Sequence, residues 1–530
     1  MINLRPELER HLQQRLNAFR DGFRHNLALI GPPGSGKTFQ LHQLLGHPEP
    51  HALVIYCALY RESCRSFLQR LLCAILQAGS GPTKPGTTSP QLLEALLRHA
   101  EPHLPKTAAA IRAIDGLLAR RLYGEAFNRA LDTVPVLMEE RQRPALLILD
   151  EFLFLEELGL THAFHELGKR VMTWPSTLFI LASSSPHRAR TILRERLQLL
   201  FGQFELLTLE ALNREAATAW VQHELKGVRG TKTAAPFLID WLGGSPWYLA
   251  VWLKRLKELA TLARSAQLTE ALFLQTAWDL LGNPDGTLHQ WCRSRVDALA
   301  HTRQGARALE ALIHVASGAR TMTELSKRVG RGGLSEALQL LVEHDVAQRS
   351  GVCWRVTDPV LRCWLSTVLL SQRADARLPE ADVRQRVEQA VRDLWTEWTH
   401  AQTRSLSEQV VRLFNRFADD TVALDSKTGR LPKFESISTH EPVGPGAESY
   451  LIADGPGRRW CATVQLDPVD ENAIAAFDAF CRTQIPRPSR KVVIMKSSID
   501  QNARVVAKAA DMWVWSPEDL KVLMELYHHG

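Results

Sequence analysis

Apolar positions in the first 25 residues recur at Leu8, Leu12, Leu16 and Phe19. That is the spacing of one helix face, so a helix is predicted over 1–25. Glu7 and Glu9 fall in its first turns, where carboxylates suit the positive end of the helix dipole. The pattern then changes to short apolar runs at Asn26–Ile30, Ala52–Cys57, Ala145–Leu149, Leu178–Ala182 and Phe204–Thr208. Helical periodicity fills the intervals, including Ser66–Ala78 and much of 91–143. Residues 79–90, rich in Gly, Ser, Thr and Pro, read as a loop. Short apolar runs alternating with helices predict an α/β fold, a parallel sheet with helices on both faces.

From 209 the pattern is helical, through Gly243-Gly-Ser-Pro-Trp247 and a helix over Leu249–Ala263. Residues 303–365 predict three helices and a short hairpin: Ala306–Ala316, Glu324–Val329, a Gly330–Gly333 turn, Leu334–Glu343, then strands Ala347–Ser350 and Val352–Val356. Thr323 is the expected cap of the second helix, with Thr321 competing. A charged helical connector covers 372–400. From about 405 helix and strand mix, with apolar strands at 461–466, 491–495 and 512–515.

Composition narrows the class. The 530 residues suggest about three or four domains. A 45% hydrophobic and 23% charged composition excludes a mostly disordered chain. No run approaches a membrane-spanning length, and the first residues carry no apolar signal core, so a cytoplasmic protein without a membrane partner is expected. The eight cysteines form no Cys-x-x-Cys pair, which points to reduced core thiols. His162 and His165 share a helical spacing without a nearby third ligand. A net charge of +7 permits contact with DNA without requiring it.

The chemistry begins at Gly31-Pro32-Pro33-Gly34-Ser35-Gly36-Lys37-Thr38, a P-loop pattern between a predicted strand and the helix opening at Phe39. Glycines let backbone N–H groups curl around phosphate oxygens, and the helix presents its positive end to the anion. Lys37 is expected to reach the β- and γ-phosphates of ATP and Thr38 to ligate Mg²⁺. Residues 31–39 are thus the expected nucleotide cradle. The second half of such a site is an apolar strand ending in an acid, and Ala145–Leu149 runs into Asp150-Glu151. Asp150 is expected to hold Mg²⁺, largely through water, and Glu151 to polarise the attacking water. An acid capping a helix after a buried strand gives the same pattern. Leu178–Ala182 ends in Ser183-Ser184-Ser185-Pro186, where a hydroxyl can meet the γ-phosphate or simply make a turn.

Asp150-Glu-Phe-x-x-Leu155, the serine-tipped strand, Leu-Phe-Gly202-Gln-Phe-Glu-Leu and Gly243-Gly-Ser-Pro246 together resemble the archaeal-ATPase group of P-loop NTPases, which is related to AAA+ origin-recognition ATPases and to signal-transducing STAND ATPases. Asn3-Leu-Arg5-Pro-Glu7-Leu-Glu9 resembles the opening helix of those families. The resemblance covers most of residues 1–370. It implies a sensor role for Ser184, which joins Lys37 and Glu151 as a catalytic candidate, and a lid turn at Gly243–Pro246 beside the nucleotide base. The family's arginine after the Leu-Phe-Gly turn is replaced by Gln203, leaving Arg194 and Arg196 as alternative finger candidates or as a solvated helical face.

Within the same resemblance, residues 303–365 look like a winged helix, with Val356-Thr-Asp358-Pro-x-Leu-Arg362-x-Trp364-Leu as its exit sequence. The candidate recognition helix carries Glu336, Gln339 and Glu343 but no Arg or Lys, while Arg328, Arg331, Arg349 and Arg355 flank it. The tail resembles a restriction-endonuclease-like domain, with Ser407-Glu408-Gln-Val-Val-Arg-Leu-Phe as its first helix. Its catalytic position reads Thr463-Val-Gln465 in place of Glu-x-Lys, with Glu448 and Asp467 nearby, so cleavage is not expected. Arg458, Arg459, Arg482, Arg487, Arg490 and Lys491 make this tail basic. The expected organisation is an ATPase core at 1–210, a helical lid at 211–300, a winged helix at 301–370, a connector at 371–404 and an inactive nuclease-like α/β domain at 405–530. The functional expectation is an ATP- and Mg²⁺-dependent switch coupled to DNA, with self-association or a protein partner. The alternative is a STAND-type signalling or defence scaffold whose C-terminal domains bind protein.

Overall fold

The computed structural model describes residues 4–46, 51–80, 90–195, 203–265, 267–300, 302–374, 379–424, 427–442 and 446–527. The chain divides into two compact units, residues 1–226 with 244–253, and 227–243 with 254–530.

In the first unit the elements follow in the order α1 (Pro6–Arg20), β1 (Asn26–Ile30), α2 (Lys37–Gly46), β2 (Leu53–Ala58), α3 (Cys64–Ser80), α4 (Pro90–Ala100), α5 (Pro105–Ala119), α6 (Tyr123–Arg141), β3 (Ala145–Asp150), α7 (Ala163–Thr173), β4 (Thr177–Ser183), α8 (Pro186–Glu195), β5 (Phe204–Thr208) and α9 (Arg214–Glu224). The five strands form a parallel sheet in the order β2-β3-β4-β1-β5. This is the α/β fold of P-loop NTPases. Alternate residues of β3 serve opposite faces, as a two-residue repeat requires. Leu147 and Leu149 join the core under α3–α8, while Leu146 and Ile148 pack with Leu12, Leu16, Phe19 and Leu41 of α1 and α2.

The predicted strands lie within one or two residues of the observed ones. The first helix is shorter than its pattern, beginning with Pro6 in its first turn and ending at Asp21. The predicted loop at 79–90 starts late, because α3 runs on through Gly79. A Cβ there would come within 2.6 Å of Leu104 and 2.7 Å of Leu137 methyls, so this glycine serves close packing and not a turn. Residues 81–89 lie outside the described ones. His162 precedes α7 in a left-handed conformation, so His162 and His165 do not share a helical face.

In the second unit come α10 (Thr231–Trp241), α11 (Pro246–Leu262), which carries the chain across from the first unit, α12 (Glu270–Ala277), α13 (Thr287–Ala300), α14 (Arg303–Ala316), α15 (Met322–Val329), α16 (Leu334–Glu343), β6 (Gln348–Ser350), β7 (Cys353–Arg355), α17 (Pro359–Trp364), α18 (Leu370–Ala374) and α19 (Glu380–Thr403). Thr321, not Thr323, caps α15. Its hydroxyl accepts from Glu324 N at 3.3 Å and the Glu324 carboxylate accepts from Thr321 N at 3.1 Å, a reciprocal capping box that Thr323 has no acid three residues on to make.

The tail continues with α20 (Leu406–Phe414), β8 (Asp420–Ala423), β9 (Thr428–Leu431), β10 (Ser436–His440), β11 (Ala447–Gly455), β12 (Arg458–Gln465), α21 (Glu471–Thr483), β13 (Arg490–Met495), α22 (Gln501–Ala509), β14 (Met512–Trp515) and α23 (Pro517–Leu526). Its sheet runs β10-β11-β12-β13-β14, antiparallel at first and parallel from β12 onward. One face packs Trp460, Ala462, Ile494, Trp513 and Trp515 against α20 and α23. The other packs Cys461, Val493 and Met495 against α21 and α22. β8–β10 are not among the apolar strands expected from the sequence of the tail. β8–β10 are four- or five-residue segments rich in polar positions, such as Ser436-Ile-Ser-Thr-His440, with too few apolar residues to register as strands.

Candidate functional site

The P-loop leaves β1 at Ile30 and enters α2 at Lys37. Gly34 and Gly36 hold φ of +77° and +93°, which side-chain-bearing residues resist, and this curls the loop amides toward one point. Lys37 is buried. Its ammonium donates to Gly31 O at 2.9 Å, Pro32 O at 3.1 Å and Ser35 Oγ at 3.4 Å. Burial pulls its pKa down from the ordinary value, while the Glu151 and Asp150 carboxylates oppose that shift. A lysine folded onto neutral carbonyls is held by weaker partners than a phosphate would be.

Across the sheet, β3 delivers Asp150 to the same place. Its Oδ2 accepts from Thr38 Oγ1 at 2.8 Å and from Tyr56 OH at 3.1 Å. The buried Oδ1 has no hydrogen-bond partner. Burial, and then the charge and hydrogen bond of Asp150, push the Tyr56 phenol well up, so it stays a donor. An orphaned carboxylate oxygen beside a threonine hydroxyl is a hard-donor pair, and it fits Mg²⁺. Among the described residues no cluster of three or more His, Cys, Asp or Glu could hold a metal.

Glu151 takes a left-handed backbone, φ +57° and ψ +44°, which strains a residue with a Cβ by about 1 kcal/mol. The kink turns its side chain toward β4. There it accepts from Ser184 N at 2.9 Å and from the Ser184 hydroxyl. Burial raises the Glu151 pKa, and the Ser184 bonds and Lys37 work against that rise. A raised carboxylate poised for proton transfer is what a general base needs.

A cavity of about 480 Å³ opens beside the loop. Gly34 to Gln40 and Ser184 form its phosphate end, while Leu4, Leu212, Trp220 and Trp247 supply apolar walls, with His223 and Glu224 at the edge. Trp247 N donates to Gly34 O at 3.3 Å, and Leu212 N donates to Gly244 O at 3.0 Å, so the Gly244–Pro246 turn is tied to the P-loop side. Arg5 reaches the carbonyls of Ser35, at 3.2 Å, and of Glu210, and burial lowers its pKa. An apolar chamber ending in phosphate-directed amides matches the two halves of a nucleotide.

The structure therefore brings Gly31, Pro32, Gly34, Ser35, Gly36, Lys37, Thr38, Phe39, Asp150, Glu151 and Ser184 to one place, while Pro33 does not line the cavity. Ser184 meets Glu151. Arg194 is exposed on α8, Gln203 lies just before β5, and Arg196 and Gly202 fall outside the described residues. Tyr56 and Trp247 went unpredicted as site residues because the contacts that place them, with Asp150 and Gly34, join positions far apart in the chain, and nothing local marks Trp220 either.

A P-loop with a paired acidic strand on this sheet order defines a P-loop NTPase. Residues 5–180 match the family profile described as AAA ATPase domain. Comparison with curated proteins gives no match. Among solved structures, a Walker-type ATPase of Pyrococcus abyssi is similar at 14% identity over 68% of this chain and 95% of that one, with a TM-score of 0.43. The ORC2 protein of Aeropyrum pernix, in ADPNP and ADP complexes, gives 15% identity, 74% and 95% coverage and a TM-score of 0.42. The ORC1 protein of the same organism, in complex with DNA, gives 14% identity, 71% and 95% coverage and a TM-score of 0.40. No helix among the described residues is long and apolar enough to cross a membrane.

The second unit holds the other predicted positions. Lys327, Arg328 and Arg331 are exposed where α15 turns into α16, and Arg307 fixes that turn by donating to Val329 O and Gly330 O at 2.9 and 3.1 Å. The exposed face of α16 presents Ser335, Glu336 and Gln339. In the C-terminal sheet, Thr463 and Gln465 are fully buried, and Gln465 Nε2 donates to Thr463 Oγ1 at 2.8 Å. The Glu448 carboxylate accepts from Ser407 N and Oγ, both at 2.7 Å. Of the six basic residues singled out in the tail, Arg459 pairs with Asp454 at 2.6 Å, and Arg482 and Lys491 share Asp478 at 2.6 and 2.5 Å. The basic character expected of the tail is reduced accordingly.

Proposed function

We propose that this chain is a Mg²⁺-dependent, ATP-hydrolysing molecular switch that couples its nucleotide state to DNA through a winged helix. The observation that carries the reading is the convergence of Lys37, Thr38, Asp150, Glu151 and Ser184 at one end of the apolar cavity. Mg²⁺, bound by Thr38 and by Asp150 largely through water, would neutralise charge on the phosphates. Lys37 leaves its loop carbonyls for the β- and γ-phosphates. Glu151 orients the attacking water and accepts its proton, and Ser184 holds that carboxylate in place until the water arrives. Trp220, Trp247 and Leu212 would supply apolar contacts for the nucleobase.

The helices α14–α16 followed by the β6–β7 hairpin have the element order of a winged helix, and Lys327, Arg328 and Arg331 supply exposed charge for phosphates. The test is a salt-dependent duplex-binding titration with and without a nonhydrolysable ATP analogue. Affinity that ignores the analogue at every salt concentration rejects the coupling. A second reading, a STAND-type scaffold whose C-terminal domains bind protein, is favoured by the acidic face of α16. The tail is read as a nuclease-like fold that does not cut, because the neutral Thr463–Gln465 pair replaces the metal carboxylate and lysine. Nucleotide-governed self-association belongs to the same proposal. Sedimentation that shows a monomer with and without the analogue rejects it.

A further inference from the structure

The β6–β7 hairpin is the part of a winged helix that usually lies against nucleic acid. Here the backbone at its tip is bonded to the chain's own tail, while the Gln348, Arg349 and Val352 side chains stay exposed. Val352 N donates to Thr421 O at 2.8 Å, which joins the tip to β8. Gly351 holds φ +67°, and a Cβ there would run into the Thr421 carbonyl and meet Val422 Cα at 2.8 Å. The backbones thus touch where only glycine fits. Cys353 is fully buried and belongs to the C-terminal hydrophobic core, together with Val422, Leu523 and Tyr527. Burial pushes its thiol up to about 12.

The cations around the hairpin are committed in the same direction. Arg320, whose carbonyl accepts from Trp354 N at 2.7 Å, pairs with Asp420 at 3.5 Å and lies 4.2 Å from the Tyr527 ring centre. Tyr527 OH donates to Asp420 at 3.0 Å. Arg355 pairs with Glu525. Arg320, Asp420, Arg355 and Glu525 are all mostly buried, so separating these pairs would expose an apolar seam and strand charges.

We propose that the β6–β7 hairpin is a structural extension of the C-terminal domain, closed to nucleic acid because residues 420–423 and helix α23 with Tyr527 occupy it. Of the groups this region could turn toward a duplex, Val352 N and the Arg320 and Arg355 guanidiniums already have partners inside the molecule, and Arg349 is the hairpin arginine left exposed. Backbone contact with a duplex then falls to Lys327, Arg328 and Arg331, a clause that rests on the DNA reading above.

Hydrogen exchange on the full chain tests the docking independently of DNA. The amides of Val352 and Trp354 are expected to exchange at the slow rates of β8. Gly351→Leu is expected to speed exchange in the hairpin and in β8 together, by at least about tenfold. If that variant does not fold, Asp420→Asn with Glu525→Gln is the milder probe, expected to act on the same two segments. A wild-type hairpin exchanging like an exposed loop, or a variant that loosens the hairpin and leaves β8 unchanged, overturns the proposal. In the second arm a 30-base-pair duplex is titrated. Arg349→Ala, on the hairpin's exposed side, is expected to bind within about twofold of wild type, and Lys327→Ala/Arg328→Ala/Arg331→Ala to bind at least about tenfold more weakly. A tenfold loss with Arg349→Ala overturns the closed wing. No duplex binding by any protein agrees with a closed wing and sinks the DNA reading alone.

Discussion

Each of the two sheets places polar side chains at the end of a buried strand, and the two endings differ in what is left unpaired. At the end of β3, Asp150 keeps a buried oxygen with no partner, and Lys37 rests on neutral carbonyls. On β12, Gln465 and Thr463 pair with each other, and Ser407 binds the nearby Glu448 carboxylate. The first ending stores unmet electrostatic demand that Mg²⁺ and a phosphate can satisfy. The second has met its demand internally with neutral groups. A bound polyanion gains most where the protein's own charges are least compensated.

Four experiments break or sharpen this contrast. The largest effect is expected from Lys37→Ala, which removes the buried cation. ATP affinity measured with a fluorescent analogue is expected to fall by at least about 100-fold, in line with roughly 3 kcal/mol for charge-assisted contacts. Retained affinity would show that nucleotide binds elsewhere.

Glu151→Gln keeps the shape and removes the base. Turnover is expected to drop about 10²- to 10⁴-fold while nucleotide affinity stays within about threefold. Wild-type hydrolysis by this variant would disprove the assignment of the base.

At the second ending, Thr463→Asp puts a charge into a fully buried, self-satisfied pair. A loss of about 1–3 kcal/mol in chemical denaturation is expected, because the carboxylate gives up its hydration there. Wild type and variant are both expected to leave linear, circular and single-stranded DNA intact in Mg²⁺ or Mn²⁺. Cleavage that survives Lys37→Ala but vanishes with Glu448→Ala and Asp467→Ala would reveal an active acidic site and erase the contrast.

The smallest effect concerns pH. Burial holds the Glu151 pKa above the ordinary carboxylate value, so kcat/KM is expected to fall on acidification at a higher pH than an exposed glutamate would give. The Ser184 hydroxyl lowers that pKa, so Ser184→Ala is expected to move the acid limb to still higher pH. An unshifted limb would mean that Ser184 does not tune the base.

The phosphate half of the site was readable because its residues are local. Gly34, Gly36, Lys37 and Thr38 must follow one another closely for amides, ammonium and hydroxyl to meet one phosphate group. Asp150 and Glu151 were readable because a buried parallel strand ending in acids is a short apolar word with a charged stop. Trp220 and Trp247 were not readable as walls of the cavity, although the Gly243–Pro246 turn next to Trp247 was expected beside it. Trp220 and Trp247 lie on α9 and α11, whose approach to the P-loop is set by packing and by a backbone bond from Trp247 to Gly34.

The sequence by itself determined the parallel sheet, the P-loop, the acidic strand and the helix–helix–helix–hairpin order, since each rests on periodicity or on neighbours along the chain. Only the tertiary structure decided that Glu151 leans on Ser184, that Asp150 keeps an unpaired oxygen, and that the backbone of the hairpin tip is bonded to Thr421. Those facts depend on which strands lie side by side and which backbones touch. No local pattern encodes them, because the contacts join residues 30 to 170 positions apart. The last of these contacts also decides what the molecule can offer a partner. Four arginines that read as a basic frame around α16 separate into exposed cations at the helix turn, an exposed Arg349, and an Arg355 already neutralised by Glu525.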